Sequence, residues 1–232
     1  MATTATPRIN IAAGAQFGYH HGPPWCRARK LVVEALQDVS ADAGLHLVVA
    51  PNGSGKTTLL RTLAGLHPAL HGRPSMSGRV IYVSDDLRMD QELPSRTLFQ
   101  AWFRGAGLED AFTLAERLRL DTRLPIGLLS RGNRQKVLLV IAETLAAESN
   151  ASLMLMDEPL SGVDADTREV IAAHWSATDA SPVLRLVVLH ELEVVRQAHS
   201  LITIIDGKLR QTRDTGGRSW AETYRRMRSA ES

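Results

Sequence analysis

Residues 50–58 read Ala-Pro-Asn-Gly-Ser-Gly-Lys-Thr-Thr, directly after the apolar run Leu45, Leu47, Val48 and Val49. A buried strand that empties into this loop, with Leu59, Leu60 and Leu63 opening a helix beyond it, is the layout of a phosphate cradle. Gly53 and Gly55 let the backbone N–H groups of Asn52 to Thr58 turn inward around a polyphosphate, which side chains at most loop positions would block. The helix adds its unpaired N–H groups and the positive end of its dipole. In such a loop Lys56 neutralises β- and γ-phosphate oxygens, and the Thr57 hydroxyl binds Mg2+. Asn52, Gly53, Ser54, Gly55 and Thr58 are the other candidate nucleotide contacts. The pattern G-x-x-x-x-G-K-[ST] has glycine first, where this chain has Ala50. One extra methyl group is expected to let the loop close, with weaker nucleotide affinity.

At 232 residues and 44% apolar composition the chain can bury a full core as one domain. The apolar stretches 137–142 and 186–189 fall far short of the ~20 residues that span a bilayer. The start, Met-Ala-Thr-Thr-Ala-Thr-Pro, lacks the charged and apolar regions of a signal peptide. Cys26 is the only cysteine, which excludes an intrachain disulfide and fits a reducing compartment. A net charge of +2, with basic residues scattered, is too small to argue for nucleic acid, and no nucleic-acid partner is expected. The expectation is a soluble, cytosolic chain.

Alternating strand and helix signals predict an α/β fold around a parallel sheet. Strands are expected at 8–13, 31–35, 79–83, 153–156, 183–189 and 201–205, the last closed by the turn Asp206-Gly207. Helices are expected from the phosphate loop to about Leu66, within 92–120, over 137–147 and from about Asp164. Residues 19–30, containing Gly-Pro-Pro, read as an exposed loop. His20 and His21 in it have no further metal ligands at useful spacing. Arg27, Arg29 and Lys30 read as a solvated edge.

Asp157-Glu158 ends an apolar strand at the end where ligands gather in open α/β sheets. Two adjacent carboxylates there are costly unless a cation or substrate meets them. Asp157 is expected to face Mg2+ and Glu158 to act as general base on an attacking water. His190, at the end of the next strand, could hold that water and donate to the γ-phosphate.

Between these elements lies Leu129-Ser130-Arg131-Gly132-Asn133. With it in place, residues 8–209 resemble an ATP-binding cassette (ABC) ATPase. The order is that family's: an aromatic adenine platform at Tyr19, with Trp25 as its rival, the phosphate loop, a Q-loop position, the Leu-Ser-x-Gly-x signature, Asp-Glu-Pro, the D-loop Ser161-Gly-Val-Asp164, and the switch His190. The resemblance implies a mostly parallel core sheet, an N-terminal antiparallel β subdomain and a small helical insert at about 88–147. It implies one ATPase domain over 1–210, followed by a basic tail, 211–232, with a short helix. Glu158 and His190 would be catalytic, and Thr57, Asp157 and Asp85 would serve Mg2+. Ser130, Gly132 and Asn133 would meet the γ-phosphate of an ATP held by an opposing cassette, with Asp164 as a further nucleotide-side residue. Two chains would therefore meet head to tail around two ATP molecules, as a homodimer, on the cytoplasmic face of an integral-membrane permease.

Three features depart from the family pattern. Besides Ala50, Arg131 and Asn133 replace residues of Leu-Ser-Gly-Gly-Gln, and Tyr82-Val-Ser-Asp85 stands where a glutamine is usual. Asp85, or Asp86 one residue on, can still offer oxygen to a metal. The small insert looks more like compact exporter cassettes. A soluble ATPase acting on ribosomes or DNA, and a cassette with reduced catalysis, are the alternative readings. In the tail, Ser219-Trp-Ala-Glu222 has capping-box spacing. Trp220, Tyr224 and Met227 share one helical face, which predicts a short helix docked on the body.

Overall fold

A computed structural model gives the fold and describes residues 6–22, 28–84, 86–149, 151–177 and 182–230. Trp25, Cys26 and Asp85 lie outside the described residues. The first strands are β1 (Arg8–Ile11), β2 (Gln16–His21), β3 (Ala28–Ala35), β4 (Val39–Ala41) and β5 (Gly44–Val49), and β5 leads to helix α1 (Lys56–Leu63). Next come β6 (Ser75–Ser77), β7 (Arg79–Val83), α2 (Ser95–Trp102), α3 (Gly105–Arg117) and α4 (Arg131–Ala147). The chain then alternates through β8 (Ser152–Met156), α5 (Ala165–Ala177), β9 (Val183–Val188), β10 (Ser200–Ile205), β11 (Lys208–Thr212) and α6 (Trp220–Ser229).

Eight strands form one sheet in the order β2-β3-β11-β10-β5-β9-β8-β7, and β4-β1-β6 form a separate antiparallel sheet. The run from β10 through β5, β9 and β8 to β7 is parallel. Strands covered on both faces read as continuous apolar runs, and every residue of β5, β8, β9 and β10 is buried. One core lies between the large sheet and α2 to α6. The other lies between that sheet, α1 and the antiparallel strands. The register places Val48 beside Val188 and Val187 beside Met156. Ala50, Glu158 and His190 therefore emerge on one edge of the sheet, beside the strand-order reversal where α/β sheets take ligands.

Several boundaries differ from the sequence reading. Tyr19 to His21 belong to strand β2, because the antiparallel hairpin with β3 continues past Phe17 through a bulge. That hairpin joins the large sheet, through β3 against β11, rather than the small antiparallel one. Helix α1 stops at Leu63, where Gly65 takes φ +76 and Leu66 N–H returns to the Arg61 carbonyl. The 92–120 segment is two helices, broken by extended backbone at Phe103 and Arg104 that turns Phe103 into the core. Helix α4 starts at Arg131, six residues before the expected 137, because Ser130 caps it.

Strand β11 runs on to Thr212, across the division drawn at residue 210. The Gln211 amide bonds the Ser40 carbonyl and the Ser200 hydroxyl, tying that strand to its neighbours. Helix α6 has the full capping box at Ser219 and Glu222, and it docks through buried Trp220 and Ala221.

An ion pair that the sequence does not announce sits inside the helical side. Glu143 of α4 accepts from the Arg185 guanidinium (2.7 and 3.2 Å) and from the Trp175 indole N–H (2.7 Å). Burial alone would raise the Glu143 pKa, but Arg185 and His174 outweigh it and hold the carboxyl down at about 2. The cluster ties α4 and α5 to the central strand β9.

Candidate active site

The phosphate loop leaves β5 at Ala50 and enters α1 at Lys56, with Gly53 at φ +77 and Gly55 at φ +101. Both glycines occupy left-handed backbone that other residues adopt at a cost. A Cβ on Gly55 would also lie 2.4 Å from Val32 of β3, so the loop and that strand are in close contact. Ala50 is different. Among the described residues only Arg119, Glu158 and Asp206 are non-glycines with positive φ, so position 50 needs no glycine for its conformation. Its methyl group is buried in the core beneath the loop.

The Lys56 ammonium is buried and donates to the carbonyls of Ala50 (3.0 Å) and Pro51 (3.2 Å) and to Asn52 Oδ1 (3.4 Å). Neutral oxygens take its hydrogen bonds, so the ammonium has no direct hydrogen bond to a carboxylate among the described residues, which suits an arriving anion. Ser54 Oγ is buried with no hydrogen-bond partner, and Ser54 is not among the residues lining the cleft described below.

The Thr57 hydroxyl donates to Asp157 Oδ2 at 2.6 Å. Burial, with the Glu158 charge beside it, raises the Asp157 pKa against the opposing Thr57 hydrogen bond, Lys56 and Arg61. A desolvated carboxylate next to a hydroxyl offers hard oxygen donors of the kind that suit Mg2+. Asp85, the third expected metal-side residue, lies outside the described residues. Its alternative Asp86 is exposed and ion-paired to Arg61 on α1.

Glu158 takes φ +51, a left-handed conformation that costs a non-glycine residue about 1–3 kcal/mol. That turn brings its carboxylate to His190, with Nε2 to Oε1 at 2.6 Å. Asn52, Gly53, Gly55, Lys56, Thr57, Thr58, Glu158, His190 and Tyr19 line one open cleft of about 700 Å³. Three further lining residues, Lys30, Leu31 and Val32 of β3, escaped the sequence reading. The apolar alternation of 31–35 was legible, but not that this strand lies against the phosphate loop.

Residues 39–161, more than half of the chain, match the family model described as ABC transporter. The chain belongs to the ABC transporter family, among its ATP-binding subunits. It is similar to the cytochrome c biogenesis ATP-binding export protein CcmA of Sphingopyxis alaskensis, with 31% identity over 63% of this chain and 76% of that one. It is also similar to the zinc import ATP-binding protein ZnuC of Cereibacter sphaeroides, with 35% identity over 75% of this chain and 73% of that one. A solved ATP-binding subunit of an ABC transporter shares the fold, with TM-score 0.76, 20% identity, and coverage of 94% of this chain and 98% of that one.

In this ABC family chain the signature residues are not part of the cleft lining. Ser130 caps α4, its Oγ accepting the Asn133 N–H at 3.2 Å, which leaves the hydroxyl proton to donate elsewhere. Gly132 lies against the D-loop, where a Cβ would come 2.3 Å from the Gly162 carbonyl oxygen. Asp164 is engaged within the chain. It caps α5 through the N–H and hydroxyl of Thr167 (2.9 and 2.8 Å) and pairs with buried Lys136 (3.0 Å). These contacts, the Thr167 backbone N–H first, hold its carboxyl well below the usual range. Signature and D-loop thus form one packed unit beside the cleft.

Proposed function

We propose that this chain binds MgATP in the cleft, hydrolyses it, and drives a separate membrane permease by nucleotide-dependent dimerisation. The carrying observation is that one cleft is lined by Lys56, by Thr57 with Asp157 hydrogen-bonded behind it, and by the Glu158–His190 pair. Lys56 and the loop N–H groups would hold the phosphates, and Tyr19 would stack on the adenine. A Mg2+ held by Thr57 and Asp157 would supply positive charge at the β- and γ-oxygens. Glu158 would take a proton from water as the water oxygen bonds to the γ-phosphorus. The bond from that phosphorus to the bridging oxygen breaks, its electron pair staying on ADP. His190 would hold the carboxylate and water in line.

Ser130, Gly132 and Asn133 would act on a nucleotide held by a second copy of the chain. Their position outside the cleft supports that reading, as does the free hydroxyl proton of Ser130. Among the described residues no helix is long and apolar enough to cross a membrane. A permease would therefore supply the path, with this chain peripheral on its cytoplasmic side. A groove of about 470 Å³ between β7 and the helical insert, lined in part by Val80, Leu87, Met89, Leu98 and Trp102, supports docking of an apolar helix. For direction we propose export, supported by the compact insert.

Glu158→Gln tests the reading. Loss of a positioned general base costs about 10²–10⁴ in rate. The variant should bind MgATP, turn over at that reduced rate, and form dimers by light scattering with ATP but not with ADP. Turnover within about three-fold of wild type would remove the catalytic role. A monomer in every nucleotide state would count against the homodimer.

A further inference from the structure

Lys30 stands among the lining residues, yet the ATPase chemistry gives it no role. It pairs with Tyr19 across the β2–β3 hairpin, and its ammonium sits 5.5 Å from the centroid of the Tyr19 ring. The alignment depends on Gly18, where a Cβ would meet the Lys30 carbonyl oxygen at 2.1 Å. Only glycine lets the two strands approach at this bulge, and the approach places cation and ring side by side. Lys30 and Val32 project from the same side of β3, two residues apart. Gly55 faces Val32 and Val33, and Lys30 lines the same cleft as Gly55, about one residue pair, roughly 7 Å, up the strand from Val32.

We infer that Lys30 is a second cationic contact for the nucleotide, binding the α-phosphate between the adenine on Tyr19 and the β- and γ-phosphates on Lys56. The cleft has the two ends such a ligand needs. Tyr19, 42% exposed, offers a stacking face, and the loop offers N–H groups. A chain of phosphates joins these ends, and Lys30 is the lining cation between them. The ammonium over the ring fixes the lysine stem, so part of its ordering cost is met before the nucleotide arrives. Every nucleotide with an α-phosphate gains from it, whatever its γ-position.

The inference rests on the nucleotide reading of the cleft, and equilibrium titration of wild type, Lys30→Met and Lys30→Arg with ATP and with ADP separates the two. Met keeps the apolar stem and removes the charge, while Arg keeps the charge. An exposed charge pair predicts a loss of roughly five-fold in affinity for Lys30→Met. ATP and ADP should lose by the same factor, Lys30→Arg should recover most of it, and high salt should shrink it. Circular dichroism melting of each variant checks that the fold is intact. Wild-type affinity in Lys30→Met overturns the inference, as does a loss confined to ATP, which would put the contact at the γ-phosphate. Tighter binding in Lys30→Met also overturns it, by making Lys30 a competitor for the ring. Failure of wild type to bind either nucleotide would instead overturn the cleft reading.

Discussion

His46, buried in the middle of β5, should make the fold sensitive to mild acid, and the structure gives the size of the effect. Its Nε2 faces the Asp42 carbonyl at 2.9 Å, which can only accept, so Nε2 carries the proton. Its Nδ1 then accepts from the Ser200 hydroxyl at 2.8 Å, and the Ser200 oxygen accepts in turn from the Gln211 amide at 2.8 Å. The chain of donors runs one way and satisfies a neutral imidazole. A second proton on the ring would reverse one bond and place a charge in a buried site. Burial accordingly lowers the His46 pKa to about 4, with His199 and Arg213 adding to it and the Asp42 carbonyl and carboxylate opposing.

The sign follows. A histidine whose pKa is depressed in the folded state stabilises the fold fully above its unfolded value near 6.5. That stability is lost as pH falls toward the folded value near 4, because only the unfolded chain takes up the proton. At pH 5 the loss from this one residue works out at about 2 kcal/mol, set against a domain stability of about 5–15 kcal/mol. Glutamine can donate to the Asp42 carbonyl and accept from Ser200 without titrating. Urea unfolding of wild type and His46→Gln at pH 7.5 and pH 5.0 isolates the term, since the other titrating groups are common to both. The wild type should lose about 2 kcal/mol more than the variant. A differential below about 0.5 kcal/mol would refute the reasoning.

Glu143→Leu should cost about 3–5 kcal/mol, because it leaves the Arg185 guanidinium buried without its carboxylate. The double variant with Arg185→Leu should recover much of that loss in the same urea measurement, and a double as unstable as the single would contradict the ion-pair account. Gly132→Ala places a methyl group 2.3 Å from the Gly162 carbonyl, so the signature helix or the D-loop must move. The expected outcome is an overpacking cost of about 1–3 kcal/mol in thermal unfolding, accompanied by reduced ATP turnover. Wild-type melting and turnover together would show that this contact yields freely.

Local chemistry alone determined the phosphate loop, the strand ending in Asp157-Glu158, the signature segment and His190, and with them the family and the α/β alternation. Each is a short run in which the residue types needed for one task are adjacent in the chain, so spacing carries the information. The capping box at Ser219 and Glu222 was legible for the same reason. What only the tertiary structure decided are relations between distant segments. The apolar pattern of 31–35 marks a strand, but its position against Gly55, which brings Lys30 into the cleft, follows from the pairing of β3 with β11. Arg185 reads as an interruption of an apolar strand until α4 places Glu143 opposite it. Asp164 carries the same side chain in either reading, and only packing shows its carboxylate engaged by Thr167 and Lys136. Composition and periodicity report which face a residue turns to the interior. What that face meets is set by long-range register, which no window of sequence contains.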